Sequence, residues 1–189
     1  MSADRPASFE GDDRVRLFCA LRLPHETLES LVAWQREAFA GVRGPTPVPR
    51  ENLHVTLAFL GHRPAAEVPA VVGALRKACA RAEQPRLAVR GYRETRSVGM
   101  LTCDDEASRA ASLADALHER LEELGVYERE RRRWLPHVTV LRFRERPRLQ
   151  PELPRLEPFV TSDAAAYLSR LRPGGARYEV LESVEVGGR

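Results

Sequence analysis

Two apolar runs 83 residues apart carry the same interruption: His54-Val55-Thr56-Leu57 within NLHVTLAFLG, and His137-Val138-Thr139-Val140 within LPHVTVLRF. No other feature limits the fold as tightly. Side chains alternate across a strand, so each run turns its His and Thr to one face and its aliphatic residues to the other. A single run of this kind fits a half-buried strand histidine satisfied by local hydrogen bonds. Two are harder to dismiss. With 5 His and seven Thr in 189 residues, chance repetition is on the order of one in a hundred before the aliphatic neighbours are counted. The repeat predicts two similar lobes whose polar strand faces meet in a cleft.

The flanking sequence supports that plan. Val15 to Leu23 is a β-branched, apolar run ending at Pro24, and His25 to Ala40 carries Leu28, Leu31, Val32, Trp34 and Phe39 at helical spacing. Gly41 to Asn52 is rich in Gly and Pro and reads as a loop. A second helical stripe runs from Val68 to Ala82, with Pro69 admissible in its first turn. Extended segments are expected at Leu87 to Tyr92 and Val98 to Cys103. Asp104 or Asp105 then caps a helix bearing Ala110, Leu113, Ala114, Leu117, Leu121 and Leu124 and ending at Gly125. After the second His-Thr run and a Pro-rich loop, Ala165 to Leu171 and Tyr178 to Val186 form two strands joined by a turn at Pro173-Gly174-Gly175. The fold class that results is α+β and bilobal, with two pseudo-symmetric antiparallel β-sheets flanked by helices around a central cleft. Residues 14–189 form one two-lobed domain in this reading, and residues 1–13, polar and loop-like, form a flexible arm.

Composition narrows the function classes. No stretch approaches the roughly 18 apolar residues of a membrane span, and the polar start lacks the apolar core of a secretion signal. A cytoplasmic protein with no membrane partner, acting as a monomer, is expected. Cys19, Cys79 and Cys103 are odd in number, widely spaced and set in apolar surroundings, which suits core residues rather than disulfides or a metal site. Net charge is +3 and Lys77 is the one lysine, so arginine is the general-purpose cation here and a single further arginine signals little. His25, His62 and His118 are expected to face solvent, and neither His-Thr run has a second metal ligand at a suitable spacing. Gly-x-Ser-x-Gly and Walker-type loops are missing, which argues against a serine hydrolase and against ATP-driven ligation.

Paired imidazoles suit phosphodiester cleavage. One, neutral, takes a proton from attacking water while the other, protonated, gives one to the departing oxygen, each contributing roughly 10²- to 10⁴-fold. The threonine hydroxyls would donate to the non-bridging oxygens. No metal or other cofactor is needed for these steps.

The motifs RLFCALRLP, ENLHVTLAFLG and LPHVTVLRF resemble those of the two-histidine phosphoesterase superfamily, and within it the bacterial RNA 2',3'-cyclic phosphodiesterases, also called 2'-5' RNA ligases. The resemblance spans about Arg14 to Val186. It implies hydrolysis of RNA ends bearing a 2',3'-cyclic phosphate to a 2'-phosphomonoester, with ATP-independent 2'-5' joining as the reverse reaction. It also implies that His54 donates a proton to the leaving 3'-oxygen, that His137 activates water, and that Thr56, Thr139 and Arg142 bind phosphate oxygens. Strict alternation would set Arg142 on the face opposite His137, so Arg142 joins the site only if the strand bulges, twists or ends there. Where relatives carry an aromatic-containing strand, this chain has SVGMLTC, so stacking residues must come from elsewhere; Phe18 and Tyr167 are candidates, with core packing the alternative for Phe18. Two other readings are a cyclic phosphodiesterase for a small nucleotide such as an ADP-ribose cyclic phosphate, and a non-catalytic RNA-end binding module.

Overall fold

In a computed structural model, residues 13–173 and 175–187 are described; the expected arm at 1–13 therefore lies, but for Asp13, outside the described residues. The elements follow in the order β1 (Arg14–Arg22), α1 (His25–Ala38), β2 (Thr46–Pro47), β3 (His54–Pro64), α2 (Val68–Cys79), β4 (Arg86–Glu94), β5 (Val98–Asp105), α3 (Arg109–Glu123), β6 (His137–Arg142), β7 (Phe159–Val160), β8 (Asp163–Arg172) and β9 (Gly175–Glu185). Every strand pairing is antiparallel. The two expected sheets are the two halves of one continuous sheet, in the order β7-β4-β5-β6-β3-β1-β8-β9, with β2 on the free part of β6.

The halves repeat a strand-helix-strand unit. β1-α1-β3 places the first His-Thr strand beside β1, and β5-α3-β6 places the second beside β5. Among the described residues they meet at one pair, Val55 opposite Val138. Both valines are buried and pack with Leu57 and Val140 into the main core, which includes Leu31 and Trp34 of α1, Leu75 of α2, and Leu113, Leu117 and Leu121 of α3. All three cysteines lie in this core.

Helix α3 begins in an unusual way. Ala107 and Ser108 both take positive φ, near 53° and 55°, which turns the chain sharply out of β5. The Asp105 carboxylate accepts from the amides of Ala110 and Ala111, at 3.0 and 2.8 Å, so the helix is capped from upstream of that turn.

Candidate active site

The Val55–Val138 pair fixes the geometry of the site. Continuing its antiparallel register one residue in each direction sets His54 opposite Thr139 and Thr56 opposite His137. All four side chains are partly exposed, while Val55 and Val138 on the other face are buried. The imidazoles occupy one diagonal of a rectangle and the hydroxyls the other. On a regular ladder such a diagonal separates the two residues by about 7–8 Å, room for a phosphate between two ring nitrogens.

Both histidines are oriented by the same contact. His54 Nδ1–H donates to the carbonyl of Asn52 at 2.8 Å, and His137 Nδ1–H donates to the carbonyl of Leu135 at 2.8 Å. A carbonyl only accepts, so Nδ1 carries hydrogen in each ring and Nε2 is the atom left for chemistry. In His54 that nitrogen lies 3.0 Å from the Thr56 hydroxyl. Around the ring stand Phe18, Tyr178 and Tyr167, with centroids 5.0, 5.5 and 6.2 Å away. Desolvation by this wall is the main reason the His54 pKa is lowered to about 4, with the positive charges of His137 and Arg142 adding to the effect and the Asn52 carbonyl opposing it.

Phe18 is buried and stacked on Tyr167 at 4.8 Å in a small cluster separate from the main core. As a wall under His54 it offers no open face to a base. Tyr178, which sequence reading did not single out, makes an edge contact with Phe18 at 4.8 Å and is itself partly exposed.

Arg142 does reach the site face. The β5–β6 register passes from Met100 opposite Thr139 to Gly99 opposite Leu141, which leaves Val140 as an extra residue on β6. This bulge makes Val140 and Leu141 both buried and returns Arg142 to the exposed, His137-bearing side. The Arg142 guanidinium then lies 3.5 Å from the Tyr178 hydroxyl, beside His54. β3 has the same irregularity: Ala58 pairs with Cys19 and Thr56 with Ala20, so Leu57 is the extra residue, and exposed Phe59 stands where β6 has Arg142. The Arg16 guanidinium covers the Phe59 ring at 4.7 Å.

A bulge disturbs the ladder around it, and here both bulged residues are buried; the Val140 carbonyl keeps a backbone donor, the Val48 amide at 3.0 Å, and both carbonyls accept from helix side chains. Gln35 of α1 donates from Nε2 to the Val140 carbonyl at 2.7 Å, and His118 of α3 donates from Nε2 to the Leu57 carbonyl at 2.8 Å. Gln35 and His118 are separated by the same 83 residues as His54 and His137. His118 is therefore not the solvent-facing residue that its charged neighbours suggest. It is 3% exposed, under the Tyr127 ring, and it pins a site strand from behind. His25 and His62 are exposed, as expected. Among the described residues, no group of three or more His, Cys, Asp or Glu gathers as a metal site would require.

A two-lobed antiparallel sheet that sets paired His-x-Thr-x strands across a common cleft is the arrangement of the two-histidine phosphoesterases. The chain belongs to the 2'-5' RNA ligase superfamily, whose family model matches residues 19–172. It is 36% identical over 184 residues to an RNA 2',3'-cyclic phosphodiesterase of Thermus thermophilus, covering 92% of this chain and 91% of that one. Among solved structures it superposes on TT0787 of Thermus thermophilus with a TM-score of 0.77 and 32% identity, covering 92% of this chain and 98% of that one. Apo LigT of E. coli matches with a TM-score of 0.77 and 26% identity over 92% of this chain and 98% of LigT, and LigT has also been solved with 3'-AMP and with phosphate.

Proposed function

We propose that the protein hydrolyses RNA ends bearing a 2',3'-cyclic phosphate to 2'-phosphomonoesters by general acid–base catalysis at His54 and His137, with no metal taking part. One observation carries this reading: two imidazoles on a diagonal, each held by its Nδ1–H so that Nε2 is left for the substrate. Water attacks phosphorus from the His137 side and gives its proton to Nε2 of that ring. The P–O3' bond breaks opposite, and the 3'-oxygen takes its proton from Nε2 of His54. Thr56 and Thr139, on the other diagonal, donate to the non-bridging oxygens, and Arg142 supplies a cation as negative charge gathers on them. With a 5'-hydroxyl in place of water, the same groups join ends through a 2'-5' linkage without ATP. We read the active species as a monomer acting on RNA in the cytoplasm; no described helix is long and apolar enough to cross a membrane.

The test is product analysis. An oligonucleotide ending in a 2',3'-cyclic phosphate, incubated with enzyme and excess EDTA, is expected to yield the 2'-phosphate, and His54→Ala and His137→Ala should each lower kcat by roughly 10²- to 10⁴-fold. A 3'-phosphate product, or activity abolished by the chelator, overturns the mechanism. Unchanged cyclic phosphate with tight binding would instead favour an RNA-end binding module.

A further inference from the structure

Arg142 borders a second feature. Beyond the end of β6 lies a groove of about 570 Å³ whose lining includes Arg43, Thr46, Arg142, Arg144 and Arg146, with Glu145 the one carboxylate among the described residues that line it. Arg43 and Arg144 are exposed, and neither makes an ion pair among the described residues. Arg146 is held in place by Glu94, a buried carboxylate that accepts from Arg146 Nε at 3.1 Å and from the amides of Arg148 and Leu149 at 2.9 and 2.8 Å. One buried acid therefore fixes the turn that follows Arg144, which forms one wall of the groove before any ligand arrives.

The groove lies on a particular side of the site. Because β3 and β6 are antiparallel, the chain leaving Thr139 toward Arg142 passes His54 and moves away from His137. On the proposed mechanism His54 serves the 3'-oxygen, so the terminal ribose sits on that side. The rest of an RNA strand leaves this ribose through its 5'-oxygen. Guanidinium groups recognise phosphates in bidentate fashion and keep their charge at all relevant pH values. We propose that this groove binds the backbone phosphates of the nucleotides preceding the cyclic end, which makes single-stranded RNA, and not a cyclic mononucleotide or a small dinucleotide, the preferred substrate class. The inference rests on the phosphodiesterase reading above.

The experiment compares a 2',3'-cyclic mononucleotide with an octanucleotide bearing the same end, using wild type and the double variant Arg43→Ser/Arg144→Ser. Wild type should show a higher kcat/KM for the octanucleotide. Two phosphate contacts on a single strand should also make that value fall roughly sevenfold more than the mononucleotide value between 50 and 200 mM salt. The double variant should lose both the length preference and the extra salt dependence while its mononucleotide kcat/KM stays within about twofold. Equal kcat/KM for both substrates in wild type, or equal losses on both in the variant, overturns the groove assignment with the phosphodiesterase reading intact. If neither substrate is turned over, that reading fails, and the groove is decided by fluorescence anisotropy of a labelled octanucleotide. Weaker, less salt-dependent binding by the variant supports the groove; unchanged affinity, or equal competition by an acidic peptide, overturns it.

Discussion

Binding of a phosphate anion should raise the His54 pKa by several units, because the group proposed as the acid is neutral in the free site. With a pKa of about 4, protonating His54 at pH 7 costs about 4 kcal/mol, three units at 1.36 kcal/mol each. A phosphate oxygen close to Nε2 returns a comparable amount, since unit charges 4 Å apart attract by about 4 kcal/mol at the effective dielectric of a site near the surface. The bound anion would thus bring the His54 pKa close to 7, where the ring holds a transferable proton. Linkage requires that the complex then take up a proton as the anion binds, so affinity for an anion of fixed charge should rise nearly tenfold per pH unit lost between about pH 7 and pH 4. NMR titration of the imidazoles with and without a 2'-nucleoside monophosphate measures both quantities. In the free protein His54 should titrate well below the ordinary 6.5, and with ligand near 7. A His54 that stays below about 5 in the complex would refute the acid assignment and exchange the roles of the two rings.

Three further outcomes follow from other contacts. His118→Leu leaves the buried Leu57 carbonyl unpaired and should cost about 1–3 kcal/mol in urea unfolding, whereas His118→Gln, which copies the amide donor that Gln35 supplies to Val140, should recover most of it; equal losses in the two variants would refute the clamp. Stability should also fall with acid through His54, because the unfolded chain binds a proton from about pH 6.5 downward while the folded ring resists it to about pH 4. The wild-type curve should lose up to about 3 kcal/mol across that window relative to His54→Phe, and parallel curves would show a solvated ring. Asp105→Ala should destabilise by about 1 kcal/mol with loss of amide-exchange protection at Ala110 and Ala111, the two amides it caps.

Most of the proposed catalytic face is legible from strand periodicity, because His54, Thr56, His137 and Thr139 lie N-terminal to the irregularities of their strands. Alternation holds from His to Thr and fails at the next residue, where Leu57 and Val140 bulge. Arg142 lies beyond that point, so counting by twos assigns it to the wrong face, and the count is corrected only by the register that β5 imposes. What stabilises each bulge comes from a helix distant in sequence, through side chains of different chemistry: an amide at Gln35 and an imidazole at His118. Their 83-residue offset repeats that of His54 and His137, yet residue type hides it, since the backbone carbonyls demand only a donor of the right reach. The same indifference explains Phe59 and Arg142. The two lobes need the same backbone to present His and Thr, but after the bulge each lobe is free to place a different side chain beside the cleft. One end of the diagonal receives a guanidinium and the other an aromatic ring covered by Arg16. On the proposed mechanism, that asymmetry would let a near-symmetric scaffold tell the ribose side of a phosphodiester from its water side.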